Sequence, residues 1–222
     1  MNKLFISALL AATLTGTVHA QRLKASGMSV KDVVPEGWDF KEAMGDLNKD
    51  GYADLAIIAT PDFKEHLQKR EDGYVYNFNQ PILAVYWGES DGVFKLYRQY
   101  ADIIPHATDE NVFYDVGMEI TNRNVLKISY STFATGGTGY TGGPTFMFRY
   151  QNGNFELIGF GEEYFSRMTG EAEETSFNYS TYKKSVTKHN VFDDSIEPKT
   201  TWYDLPREPR KKLGSFQLEA YP

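Results

Sequence analysis

Short runs of apolar and aromatic residues define the candidate strands of this chain. Residues 55–60 read Leu-Ala-Ile-Ile-Ala-Thr and stop at Pro61, which predicts a strand buried on both faces. Residues 81–87 and 93–97 form two further apolar runs, separated by a turn that contains Asp91-Gly92. Because this dipeptide between aromatic strands favours a tight turn, the pattern predicts a β-hairpin.

The same order of elements recurs about sixty residues later. An alternating strand over residues 125–130 precedes a Gly-rich loop over residues 135–143, which is expected to be a flexible hairpin loop. A second aromatic hairpin follows over residues 144–158. The repeat is aligned on two pairs of residues, spaced 63 and 61 positions apart: Pro81 with Pro144, and Phe94 with Phe155.

Less regular segments flank these two units. The polar stretch 61–72 carries two apolar residues at helical spacing and predicts one short surface helix. Residues 175–182 and 185–188 predict a degenerate third hairpin that turns at Lys183-Lys184, and the tail from Glu197 is expected to be irregular. The fold class is therefore predicted to be mainly β, with antiparallel sheets.

The first twenty residues have the pattern of a secretory signal peptide. A short positive start over residues 1–3 leads into an apolar and small-residue core over residues 4–18, and small residues precede a cleavage point after Ala20. This pattern predicts a bacterial-type, cleavable signal and a periplasmic or secreted protein without a membrane span. No shift in composition divides residues 21–222, so they are interpreted as a single β-rich domain.

Composition excludes several kinds of chemistry. The sequence has no Cys, which rules out disulfides, thiolate metal sites and cysteine nucleophiles. A formal net charge of -7 argues against nucleic acid as a partner, since phosphate binding needs a basic surface. The spacings of His66, His106 and His189 match no metal motif, and no catalytic constellation is recognised.

The most specific pattern is a loop over residues 46–54. Gly51 permits a sharp bend at the sixth position, and Tyr52 offers a backbone carbonyl at the seventh. Calcium prefers six to eight hard oxygen ligands, and alternate residues of a tight loop point such oxygens towards one centre. Ile57 replaces the distant Glu of an EF-hand. The oxygen-bearing side chains at positions 1, 3, 5 and 9 are Asp46, Asn48, Asp50 and Asp54.

This loop and its flanks closely resemble the FG-GAP/VCBS-type repeat of integrin-like β-propellers. The resemblance is specific over about residues 37–60, is looser over the turn at 88–94, and ends after about residue 165. It implies propeller-blade-like repeats, a structural Ca²⁺ held by the loop residues just named, and a binding or interaction module. The second unit has no Asp-rich loop in the corresponding stretch 111–124.

The resemblance also limits the architecture. The repeat units are placed at about residues 37–100 and 112–165, followed by a C-terminal hairpin and tail over 166–222. A propeller needs at least four blades. The 202 residues that follow position 20 supply about three units, so a closed propeller is not expected in a monomer.

Alternatives remain open at several places. The loop over residues 46–54 has an ion-free interpretation as an Asp/Asn/Gly turn. Tyr140 in the Gly-rich loop could contact a sugar or peptide. The acidic stretch 162–174 is read either as a solvated face of loops or as a source of paired carboxylates.

The expected function is a non-catalytic, calcium-stabilised module with an unknown protein or glycan partner. The alternative is an exported hydrolase of glycans or peptides that uses Glu162, Glu163 or Glu171.

Overall fold

A computed structural model describes residues 22–134 and 139–221 of the chain. The predicted signal peptide lies outside the described residues, and so does the 135–138 part of the Gly-rich loop. The elements are one helix, α1 (Val30–Val33), a 3-10 turn at Lys64–His66, and the strands β1 (Ser26–Gly27), β2 (Asp39–Gly45), β3 (Asp54–Thr60), β4 (Leu67–Lys69), β5 (Val75–Asn77), β6 (Ile82–Gly88), β7 (Phe94–Tyr100), β8 (Val112–Ile120), β9 (Val125–Ala134), β10 (Tyr140–Gln151), β11 (Asn154–Ser166), β12 (Glu171–Asn178), β13 (Lys183–Asn190) and β14 (Lys199–Asp204).

The first large sheet has five antiparallel strands in the order β1-β7-β6-β3-β2. Its central strands β3 and β6 are almost entirely buried, which confirms the prediction for residues 55–60. Alternate residues serve two cores, because successive side chains of a strand point to opposite faces. Ile57 joins a core under α1, whereas Ile58 joins the core shared with the second sheet.

The second large sheet is a seven-stranded antiparallel meander, β8 to β14 in chain order. The predicted strands at 125–130 and 144–158 belong to it. Strands β10 and β11 are much longer than predicted, with 12 and 13 residues. Neither large sheet closes on itself over the described residues, so the chain forms two open sheets and no closed propeller.

The two predicted repeat units occupy equivalent places in the two sheets. β6 and β10 are each the third strand of a four-stranded meander, and each pairs with the strand after it through a tight hairpin. Both hairpins contain an irregularity that leaves one residue of the fourth strand without an opposite partner, Tyr97 in β7 and Ile158 in β11. These residues follow Phe94 and Phe155 by the same three positions, which supports the alignment made on the sequence.

The two sheets pack through a core built mainly from aromatic and branched residues. Phe146 and Phe160 from the second sheet are fully buried, and their ring centroids lie 5.1 Å apart. The C-terminal tail covers this core, because Tyr221 packs edge-on against Phe160 at 4.8 Å. Residues that the first sheet and its loops contribute to the same core include Leu47, Ile58, Leu83 and Val85.

The expected short helix is present, but at Val30–Val33 rather than over residues 61–72. The segment 61–72 instead contains the 3-10 turn and β4, which pairs with β5. The side-chain amides of Asn77 and Asn79 donate hydrogen bonds to the backbone carbonyls of Pro61 and Phe63. The Phe63 carbonyl also accepts a bond from the His66 amide, so the helical conformation is limited to the 3-10 turn and the chain continues as β4.

The C-terminal third differs from the prediction in three ways. β12 and β13 do pair, but the turn lies at residues 179–182 instead of Lys183-Lys184, because the side chain of Asn178 accepts hydrogen bonds from the Ser180 and Thr181 amides. The hairpin extends the second sheet and forms no separate unit. The tail from Glu197 is not wholly irregular, since β14 lies within it.

Within the described part of the chain, no helix has the length and apolar character that crossing a membrane requires.

The core packing generates a first prediction. Phe146→Ala removes a fully buried ring with aromatic neighbours on several sides, so urea unfolding should show a loss of about 3–5 kcal/mol. Phe40→Ala is the matched control, because Phe40 is 37% exposed and should lose about 1 kcal/mol or less. Equal losses for the two variants would contradict the assignment of the core.

Candidate metal centre

The loop predicted to hold an ion connects β2 to β3. Lys49 and Gly51 both adopt positive φ, at 66° and 92°. Gly51 therefore makes the bend that the sequence predicted, since glycine adopts this conformation without strain. The left-handed Lys49 was not predicted, and it tightens the loop so that side chains can reach the backbone amides around it.

Asp46 organises the exposed half of the loop. Its Oδ1 accepts hydrogen bonds from the backbone amides of Lys49 at 2.6 Å and Asp50 at 3.1 Å. Its Oδ2 accepts a third from the amide of Gly51 at 3.1 Å. The carboxylate thus sits at the centre of the curve that the backbone makes around it.

Asn48 and Asp50 complete this half. The Asn48 Oδ1 accepts a bond from the Asp50 amide at 3.0 Å, and the Asp50 Oδ1 accepts one from the Tyr52 amide at 2.9 Å. The Asn48 Nδ2 donates to the Asp50 Oδ2 at 2.8 Å, so the two side chains lie in contact. Tyr52 itself is exposed. Three of the predicted ligand side chains, Asp46, Asn48 and Asp50, therefore lie on one side of a tight turn.

Asp54, the last predicted ligand side chain, is 0% exposed. Its Oδ2 accepts hydrogen bonds from the amides of Leu47 at 2.7 Å and Asn48 at 3.2 Å, and its Oδ1 accepts one from Gly88 at 3.0 Å. Burial raises the pKa of the Asp54 carboxyl above its usual value, and the negative charge of Asp50 adds to this. The three hydrogen bonds act in the opposite direction, because they stabilise the ionised form.

The loop contacts the end of β6 and the β8–β9 turn, neither of which the sequence connected to it. A Cβ added to Gly88 would lie 2.0 Å from the carbonyl oxygen of Ala53, so the end of β6 can approach the loop only at a glycine. Asn124, in the β8–β9 turn of the second sheet, donates a side-chain hydrogen bond to the carbonyl of Asp46. The loop therefore lies where the two sheets meet.

The loop carries carboxylate and amide oxygens, the donor type that a hard cation prefers. A carboxylate offers about four acceptor positions, and backbone amides use three at Asp46 and one at Asp50. The Asn48 Nδ2 takes a second position at Asp50, so about one acceptor position remains at Asp46 and about two at Asp50. No group of three or more His, Cys, Asp or Glu side chains within residues 22–134 and 139–221 is arranged to hold a metal.

The acidic stretch lies on strands and not on loops, which corrects the sequence-based interpretation. Glu162 and Glu163 are consecutive in β11 and point to opposite faces of the sheet. Glu163 lies opposite Glu174 of β12, and its carboxylate is 3.3 Å from the Nε2 of His189. Glu162 and Glu171 instead line a cavity of about 630 Å³ on the other face.

The described end of the Gly-rich segment is also part of the sheet. Gly142 and Gly143 lie in β10, where an added Cβ would be 1.9 Å from the carbonyl oxygens of Glu163 and Tyr130 respectively. These glycines are needed because neighbouring strands pass too close for a side chain. Tyr140 lines the 630 Å³ cavity and its side chain is exposed.

A groove lined by six aromatic rings lies at the opposite end of the β2–β3 hairpin from the loop. It has a volume of about 570 Å³ and runs between the starts of β2 and β8, under the β4–β5 hairpin. Burial lowers the pKa of His106 in its floor. The rings that line the groove are Phe40, Tyr74, Tyr76, Phe78, Phe113 and Tyr114.

The comparisons with known proteins bear on this region of the chain. No curated protein and no solved structure matches the sequence. Residues 42–78 match the family model of the FG-GAP repeat, which confirms the FG-GAP resemblance over the loop and β3, and the match extends beyond it to the β4–β5 hairpin. This segment is therefore similar to an FG-GAP repeat, and the match indicates a β-propeller-like interaction module.

Proposed function

We propose that this chain is an exported, non-catalytic β-repeat module that is stabilised by calcium and binds a protein or glycan partner. The observation that carries the proposal is the oxygen-rich turn over residues 46–54, which lies inside the FG-GAP match and where the two sheets meet. Export is inferred from the signal-peptide pattern of residues 1–20, which lies outside the described residues.

Asp46, Asn48 and Asp50 would hold the ion, with the carbonyl of Tyr52 as a further donor. Calcium supplies positive charge to a turn that concentrates carboxylates, and so it offsets their mutual repulsion. Asp54, the last of the predicted ligand side chains, lies on the buried side of the turn. Its buried charge has no cation among the ion pairs that the described residues form, so a bound ion would also stabilise its ionised state.

An ion at this position would stabilise more than one turn. Asp46 is tied to the second sheet through Asn124, and Asp54 is tied to the end of β6 through Gly88. Fixing the loop therefore fixes the edge at which β2 approaches β8. The groove of about 570 Å³ lies at the other end of the same edge, at the starts of β2 and β8, and its exposed Tyr74 and Phe40 offer a partner aromatic contact area.

A second candidate function is hydrolysis of glycans or peptides. The observation that favours it is the cavity of about 630 Å³ into which Glu162, Glu171 and Glu173 open, because paired carboxylates on one cavity can perform acid-base chemistry. Glu163 points to the opposite face of β11 and lines a second cavity of about 500 Å³ with Glu174, so comparing the two variants tells which cavity holds the activity. If the chain is a hydrolase, Glu162→Gln should abolish release of reducing ends or new amino termini while Glu163→Gln retains it. If the wild-type protein shows neither activity, hydrolysis is excluded as its function.

Calcium should raise the melting temperature of the mature protein. At a hundredfold excess over Kd, binding only to the folded state contributes about 2.7 kcal/mol, which corresponds to roughly 5–10 °C for a chain of this size. Magnesium should do less, since it requires a smaller octahedral shell. The measurement is scanning calorimetry with calcium, with magnesium and with chelator.

Asp50→Ala should abolish the calcium increment, because it removes a ligand on the exposed side of the turn. Asp91→Ala is the matched control: Asp91 also caps a turn, accepting a bond from the Val93 amide, but it lies in the β6–β7 hairpin. This variant should retain the increment. A melting curve that chelator leaves unchanged, with no calcium heat in titration calorimetry, would show that the loop is only a turn.

Asp54→Ala should destabilise the protein even in chelator. It leaves three buried or half-buried amide groups, at Leu47, Asn48 and Gly88, without their acceptor. The expected loss in urea unfolding is about 3 kcal/mol or more, against well under 1 kcal/mol for Asp50→Ala under the same conditions. Similar small losses for both variants would mean that the hydrogen bonds of Asp54 do not hold the loop.

A further inference from the structure

The last strand of the seven-stranded sheet has an open edge. All six residues of β14 are exposed, and Trp202 and Tyr203 are 67% and 51% exposed. Proteins usually protect such edges with charges or prolines. Here the charges of Lys199 and Asp204 stand only at the strand ends, and the four residues between them, Thr-Thr-Trp-Tyr, are uncharged.

The other long edges of the two large sheets are covered or blocked. β2 and β8 face each other: the Lys41 Nζ donates to the carbonyl of Val116, and Gly45 lies against Ile120. β1 has only two residues. Among the described residues, β14 is therefore the long sheet edge that remains available for pairing.

The alternation of hydrogen-bonded pairs between β13 and β14 shows which backbone groups of β14 are free to bind another strand. The Leu205 amide donates to the Tyr182 carbonyl, so Leu205 and Tyr182 form a hydrogen-bonded pair. Such pairs alternate along an antiparallel ladder, and β14 continues in the same register. The amide and carbonyl groups of Thr200, Trp202 and Asp204 consequently point away from β13, towards the open edge.

The charges and prolines around β14 match those of a second, antiparallel copy of the same strand that is centred on Trp202. Pro198 and Pro206 stand four residues on either side of Trp202, and Glu197 and Arg207 stand five residues on either side. An antiparallel copy centred on Trp202 therefore brings each Glu197 opposite an Arg207. The same register lets both strands pair over the stretch between the two prolines.

We propose that β14 pairs with β14 of a second copy of this chain about a two-fold axis at Trp202. The two seven-stranded sheets then join into one continuous sheet. This register satisfies the outward hydrogen-bonding groups on both strands, because it places Trp202 opposite Trp202 and Thr200 opposite Asp204. On the other face Thr201 lies opposite Tyr203, a β-branched–aromatic pair of the kind that stabilises sheets.

The surroundings of the edge support an interface with another protein chain. Met168, Phe192 and Ile196 are large exposed apolar residues in the turns that lead to β12 and β14. Clustered apolar exposure of this kind marks protein–protein contact surfaces. The Glu197–Arg207 match favours a second copy over an unrelated extended peptide, which would need to carry the same charge pattern.

The absence of cysteine from the sequence allows a direct test by cross-linking, since a single introduced thiol can react only with another copy. Trp202→Cys should form a disulfide-linked dimer under mild oxidation, because directly opposite residues have Cα atoms about 5.5 Å apart, within the range of a disulfide. Tyr203→Cys alone should not, because its symmetry mate lies two residues out of register, beyond about 7 Å.

A mixture of Thr201→Cys and Tyr203→Cys proteins should cross-link with each other and not with themselves. Circular dichroism and melting curves of each reduced variant establish that it is folded. If all variants fold and cross-link equally, the contact is collisional and the register is overturned. If none cross-links and the wild-type protein sediments as a monomer at every concentration, the pairing itself is overturned.

Analytical ultracentrifugation gives the second readout. Trp202→Lys would place two ammonium groups opposite each other across the axis, so the dimer dissociation constant should rise about tenfold or more. Lys184→Ala removes a charge on β13, at a distance from the open edge. This variant should change the dimer dissociation constant by no more than about twofold. An unchanged constant for Trp202→Lys would exclude this axis.

Discussion

The buried carboxylate of Asp54 is the contact on which the first sheet and its approach to the second depend. It accepts hydrogen bonds from two amides of its own loop and from the amide of Gly88 at the end of β6. An ionised carboxylate is costly to bury, so it has to be surrounded by donors, and backbone amides supply them here. These bonds fix the loop between β2 and β3 in a conformation that directs the carbonyl of Asp46 towards Asn124.

The sequence predicted the parts of this arrangement that depend on local pattern. The apolar run of β3, the bend at Gly51 and the two aromatic hairpins each follow from residue type and spacing within a few positions. The partners Gly88 and Asn124 could not be found in this way, because they come from segments that are 34 and 78 residues distant from the groups they bind. For Gly88, the one signal in the sequence is the glycine itself, because a close approach of two backbones requires a residue without a side chain.

The segments whose secondary structure was predicted wrongly from the sequence share one physical cause. Residues 61–72 carry a helical spacing, yet the amides of Asn77 and Asn79 bind the carbonyls that would start a helix. Glu162 and Glu163 look like loop residues, yet β11 continues through them because β12 supplies a partner strand. β14 lacks any buried face and so has no apolar alternation, and only its pairing with β13 makes it a strand. In each case a non-local partner overrides the local preference.

The meander of the second sheet has a consequence for how the chain acquires its structure. Every strand from β8 to β14 pairs with its neighbour in sequence, so each hairpin can form as soon as its two strands are present. Contacts of this kind close short loops and favour rapid folding. The slow steps should be those that join distant segments, above all the addition of β1 to β7 and the docking of Leu218 against Ile103. A chain that emerges from a pore with its amino terminus first would complete its fold only when its last residues arrive.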